Sequence, residues 1–147
     1  MSAQVVAALR ANRELATPEQ VKAWDQAIAQ FPVDPSFLRE LHLVFTDATK
    51  NEEVMFGLVH VLEDYDMDVQ LAAFVSALPE MLKDAREWVL TLTWRILNDA
   101  KSREAYKAVL KAADPGARDA ARGILEEVAR DEKPPLQTGA QEVLAAL

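Results

Sequence analysis

Residues 84–98, DAREWVLTLTWRILN, decide the fold class. On a helix turning about 100° per residue, Trp88, Val89, Leu92 and Ile96 share one side and Leu90, Trp94 and Leu97 the other. Only a strip of Glu87, Thr91, Arg95 and Asn98 stays polar, so this helix has two apolar sides to cover and is expected to be sandwiched. Other segments are one-sided. Val21, Trp24, Ile28 and Phe31 form a single stripe, as do Ala117, Ala121, Ile124, Leu125 and Val128. No stretch alternates cleanly enough for a strand: Leu71 to Leu78 is apolar, but its alanines predict a helix that Pro79 stops.

Helix punctuation is dense. Thr17-Pro18-Glu19-Gln20 supplies a cap, a first-turn proline and a capping-box partner, and Asp34-Pro35 and Asp114-Pro115 repeat the cap-then-proline signal. Thr49 with Glu52, Asp84 with Glu87, and Thr138 with Gln141 have capping-box spacing, and Asp68 reads as the cap of the fifth helix. These marks predict about nine helices, near residues 3–14, 18–30, 35–45, 51–65, 68–78, 84–98, 102–113, 115–131 and 138–146. Short loops make successive helices antiparallel neighbours. The expected fold is all-α, an irregular stack of antiparallel helix pairs, either a HEAT-like α-solenoid or a compact helical bundle, in one domain over residues 1–147. No clean sequence repeat accompanies it.

The absence of cysteine excludes disulfides, thiolate metal sites and Cys nucleophiles, and permits a reducing cytosol. The N-terminus MSAQVVAALRANR lacks the basic start and continuous apolar core of a secretory signal, and no apolar run approaches the roughly 18 residues of a membrane span. A soluble, cytoplasmic protein is expected. Its net charge of −8 is segregated: eleven acids and three bases lie between Asp34 and Asp84, while the flanking segments are each neutral. That asymmetry repels nucleic acid and membranes and attracts basic partners, although solubility alone is also served by it.

The acidic segment centres on residues 51–66, NEEVMFGLVHVLEDYD. Val54, Met55, Leu58, Val59, Val61, Leu62 and Tyr65 form its core side, and the remaining arc carries Glu52, Glu53, Phe56, Gly57, His60, Glu63 and Asp64. Two readings of Phe56 stay open. It is either an aromatic anchor rimmed by carboxylates for a protein partner, or it packs with Gly57 against the third or fifth helix, the glycine allowing close approach. Glu63, Asp64 and Asp66 crowd the C-terminal end of the same helix, where negative charge opposes the macrodipole.

Chemical motifs are lacking. His60 and Glu63 share a face, but His42 is the only other histidine, so no metal site is expected. Neither a phosphate loop nor a nucleophile elbow occurs, the acids lie on a convex arc, and neither an enzyme nor a cofactor is expected. Were the chain an enzyme, a deep polar pocket around His42 or His60 would be needed.

Within LHLVFTDATKNEEVMFGLVHVLEDYD and LPEMLKDAREWVLTLTWRILND the chain resembles the immunity protein 30 group of bacterial polymorphic toxin systems. The resemblance rests on Leu41 to Phe45, Glu53 to Glu63, Leu78-Pro79, Trp88 and Arg95 to Asn98, and extends over residues 36–110. It implies an antitoxin that binds a cognate toxin domain, often a basic nuclease, and blocks it without chemistry. The partner-binding residues expected on that basis are Glu52, Glu53, Phe56, His60, Glu63, Asp64, Asp66 and Asp68, on a chain that is monomeric until it meets its toxin. The other reading is a helical-repeat scaffold binding some other protein, with the opposite surface of helices seven and eight as its candidate face.

Overall fold

The computed structural model describes residues 1–147 and contains nine α-helices and no strand. They are α1 (Ser2–Ala11), α2 (Pro18–Ile28), α3 (Leu38–His42, preceded by a 3₁₀ turn at Pro35–Phe37), α4 (Glu52–Glu63) and α5 (Met67–Asp84). The second half comprises α6 (Arg86–Leu97), α7 (Ala100–Ala112), α8 (Pro115–Asp131) and α9 (Leu136–Ala145). Of the two expected arrangements, the compact bundle is the one observed. The longest helix, α5, touches α3, α4, α6, α7 and α8, so contacts distant in sequence wrap around it where an open stack would have only neighbours. A single cluster of 36 buried apolar residues runs from Val5 to Val143. No helix is long and apolar enough to cross a membrane.

The caps with a proline form as read. Thr17 Oγ1 accepts the Gln20 N–H at 3.2 Å while Gln20 Oε1 accepts that of Ala16 at 2.7 Å, and Asp114 Oδ2 accepts the Ala117 N–H at 3.1 Å. Several other boundaries differ. Pro79 does not stop α5, which continues to Asp84 because Leu71, Phe74, Val75, Leu78 and Met81 form one unbroken buried stripe. Burying Leu78 and Met81 offsets the roughly 3 kcal/mol that an interior proline costs. Its cap is Asp66, whose Oδ1 accepts the Asp68 N–H at 3.1 Å, so Asp68 sits in the first turn and does not cap. Asn51 replaces Thr49 as the cap of α4, accepting the Val54 N–H at 3.1 Å. Asp84 does not cap α6, since it closes α5 and pairs with Arg13, and Thr138 lies inside a helix that begins at Leu136. The expected helix over 35–45 is shorter, because Asp34 caps a 3₁₀ turn through Ser36 and the chain leaves the helix after His42.

The sandwiched helix is found. In α6, Trp88, Val89, Leu92 and Ile96 on one side and Leu90 and Leu97 on the other are all buried, with Thr93 between them. The loop from Leu43 to Lys50, which leads into α4, is pinned on both flanks. Arg13 donates to the Leu43 carbonyl at 3.2 Å and the Lys50 N–H donates to that of Glu14 at 2.7 Å. On the other flank the Asp47 N–H donates to the Asp84 carbonyl at 2.8 Å.

His42 is 2% exposed, lies 5.7 Å from the Phe74 ring centroid, and its Nδ1–H donates to the Leu38 carbonyl at 2.7 Å. Burial pushes its pKa down to about 4, against the weaker opposing effect of that hydrogen bond. Above the ordinary histidine value of 6.5 the ring is neutral in both folded and unfolded chains. As pH falls below it, the unfolded chain takes up a proton that the folded one refuses, and stability drops until both are protonated near pH 4. We expect urea unfolding to show a loss of about 2 kcal/mol between roughly pH 6.5 and pH 5. That loss shrinks in His42→Leu, whatever the variant's stability at neutral pH; an unchanged slope would refute the neutral buried histidine.

Candidate functional site

The polar arc of α4 faces the polar strip of α6 across an open groove of about 610 Å³. Glu52, Glu53, Phe56, Gly57 and His60 line it from α4, Glu87, Trp88 and Thr91 from α6, and Asp47 from the loop before α4. Helical periodicity places the α4 residues on one wall, and the pinned loop places Asp47 at the end. Asp47 Oδ2 accepts the Glu87 N–H at 3.0 Å, joining the loop to the first turn of α6.

The floor is aromatic. Trp88 is 6% exposed, its ring centroid 5.1 Å from Phe45 and 6.1 Å from Phe56, and its Nε1–H donates to the Thr46 carbonyl at 3.1 Å. His60 meets Phe56 edge-on at 5.2 Å. Phe56 is half-buried and packs against Trp88 of α6. Gly57 is not a point of close approach, because a Cβ added there would meet nothing within 4 Å. The close approach is at Gly139 in α9, where a Cβ would lie 3.2 Å from the Leu97 carbonyl oxygen.

The rim is acidic and unpaired. No Lys or Arg lies within ion-pair distance of Asp47, Glu52, Glu53 or Glu87, all exposed. Arg86 feels the charges of Glu87 and Asp47, but its guanidinium is bonded to Glu127. The carboxylates do not converge, and no group of three or more His, Asp or Glu side chains is placed to hold a metal ion.

Of the eight residues expected at an interface, Glu52, Glu53, Phe56 and His60 come together here. The other four do not join them. Glu63 accepts two hydrogen bonds from Arg95, each 2.7 Å, and the same guanidinium lies 5.3 Å from the Phe56 ring centroid. Asp64 lies at the C-terminal end of α4, Asp66 caps α5, and Asp68 borders a different groove lined by α5, α7 and α8. The crowding at the end of α4 therefore has local compensation: Arg95 neutralises Glu63, and Asp66 sits at a favourable helix N-terminus. Asp47, Glu87, Trp88 and Thr91 are additions that the α4 wheel does not contain. For Glu87 and Thr91 the signal was the polar strip of α6, which a sandwiched helix keeps only where something leaves it uncovered; Asp47 and Trp88 had none.

A family model described as immunity protein 30 matches residues 11–106, a span that holds every residue of the groove. No curated protein and no solved structure matches the chain.

The two glycines make opposite demands. Gly57→Ala is expected to raise stability by about 1 kcal/mol, because alanine is the better helix former and nothing obstructs its methyl. Gly139→Ala is expected to lower it by about 1–3 kcal/mol, since the obstructing Leu97 carbonyl is held by Arg103 at 2.7 Å and cannot yield. Thermal melts of the two variants check both signs.

Proposed function

The chain belongs to the immunity protein 30 family, and on that premise we propose that it is an antitoxin that binds and neutralises a cognate toxin domain. The observation that carries the site assignment is the α4–α6 groove, where four exposed carboxylates without a basic partner surround an aromatic floor. Gly57 supports it: a helix-interior glycine that costs about 1 kcal/mol without serving packing has its use in keeping the groove open.

In this reading the toxin presents a basic surface, as the active cleft of a nuclease does, and the acidic rim draws it in over several ångströms. Long-range attraction sets the association rate, and the desolvated contacts at the floor set the lifetime of the complex. The antitoxin does no chemistry, acts in the cytoplasm of the cell that makes the toxin, and is monomeric before capture. Glu52, Glu53, Phe56 and His60 contribute from α4, with Asp47, Glu87 and Trp88 opposite. Glu63 is engaged by Arg95, so the reading assigns it a supporting place only.

Stopped-flow binding to the toxin domain encoded beside this chain tests the assignment. Glu52→Lys with Glu53→Lys is expected to slow association by about ten-fold or more at low salt and to flatten its salt dependence, while Glu63→Gln leaves both nearly unchanged. An unaltered association rate in the double variant would place the interface elsewhere.

A further inference from the structure

The groove has the opposite relief from an anchor. Phe56 does not project: it is half-buried, with Trp88 and His60 against its ring and Arg95 over it. A surface whose aromatic side chains lie at the floor of a groove of about 610 Å³ has no plug to offer and has room to receive one. What it receives is constrained by charge. Asp47, Glu52, Glu53 and Glu87 stand around the space without a basic partner, so an apolar or acidic insert would leave them desolvated and unpaired. A metal ion is the wrong shape, because no three of the groups converge on a point. The fitting cation is extended, carries several donors and has a face to lay on a ring.

The chain already builds that contact once. The Arg95 guanidinium covers the Phe56 ring at 5.3 Å while donating two hydrogen bonds of 2.7 Å to Glu63. Aromatic ring plus carboxylate is the pairing that the open groove offers again with the exposed part of Phe56 and the rim acids. Guanidinium suits it better than ammonium, since it is planar, more weakly hydrated and able to stack and to bond a carboxylate in two places at once.

We propose that the α4–α6 groove is a socket for an arginine side chain of the toxin, laid against the exposed part of Phe56 with its guanidinium bonded to the rim carboxylates. Gly57, with nothing within 4 Å of where a Cβ would stand, leaves passage for the methylene stem. The anchor of the complex then belongs to the toxin and the pocket to the antitoxin. This assignment rests on the reading that the groove faces the toxin.

The probe is an acetylated, amidated arginine tripeptide, titrated into the full chain at millimolar concentration and followed by amide and Trp88 indole NMR shifts, beside lysine and citrulline tripeptides. Saturable shifts at Gly57, Glu87 and Trp88 are expected, with the arginine peptide binding about ten-fold tighter than the lysine peptide and citrulline not binding. Glu53→Gln with Glu87→Gln, and separately Phe56→Leu, are expected to weaken it by a similar factor. Equal binding of arginine and lysine peptides, or shifts unaffected by these variants, would overturn the socket. Arginine-to-lysine scanning of the toxin separates the two levels. A toxin that binds through the acidic rim but loses nothing at any scanned position leaves the antitoxin reading standing and removes the socket. A toxin that fails to bind, alongside arginine-selective shifts in the groove, removes the antitoxin reading and the toxin as the source of the arginine, and leaves only the selectivity of the groove for arginine.

Discussion

The indole of Trp88 fixes the distance between the core and the groove. One neighbour is Phe45, fully buried, the other is Phe56 at the groove floor, and the ring N–H is committed to the Thr46 carbonyl one residue before Asp47. A hydrogen bond from a buried indole is costly to lose, because the donor would be left without water or partner. Rotating or sliding α6 would break it and would also pull the Glu87 N–H from Asp47. The rim acids of three separate segments therefore hold their spacing through one side chain and the loop it grips.

Where the fold follows from short-range rules, it is legible in the sequence. α2 and α8 carry a cap, a first-turn proline and one apolar stripe, and all these marks agree. α6 declares its double-sided burial outright. Boundaries went astray where a residue with the right spacing had a better partner elsewhere. Asp84 has the spacing of a cap for α6, but Arg13, 71 positions away, and the end of α5 claim it. Pro79 is a stop signal that the burial of Leu78 and Met81 overrides, and no local pattern expresses how much a neighbouring layer will cover.

The candidate site was half legible for a related reason. The α4 wheel supplies one wall, because its residues are near in sequence, while the opposing wall depends on which face of α6 turns toward α4. Charge segregation along the chain is real but is not segregation in space. Among the eleven acids of the middle third, Glu63, Glu80 and Asp84 are neutralised by Arg95, Arg39 and Arg13, and Asp34 and Asp66 serve as caps. Bases from the neutral flanks reach back into the acidic segment. Of the six that remain, Asp47, Glu52 and Glu53 line the groove, while Glu40, Asp64 and Asp68 do not and the groove's Glu87 lies outside the segment, which is why a linear count pointed to α4 and overstated its acidic face.

The loop before α4 is tied by Arg13, Glu14 and Asp84, so the mouth of the groove exists before anything enters it. A receptacle of fixed width cannot reshape itself around a near-miss partner. Toxins of related lineage that lack a cation at the matching place would strip water from the rim and return nothing for it, a penalty that grows with the number of carboxylates buried. On the proposed function, that rigidity would act as a discriminator, rejecting a related toxin through what is left unsatisfied and not through a clash.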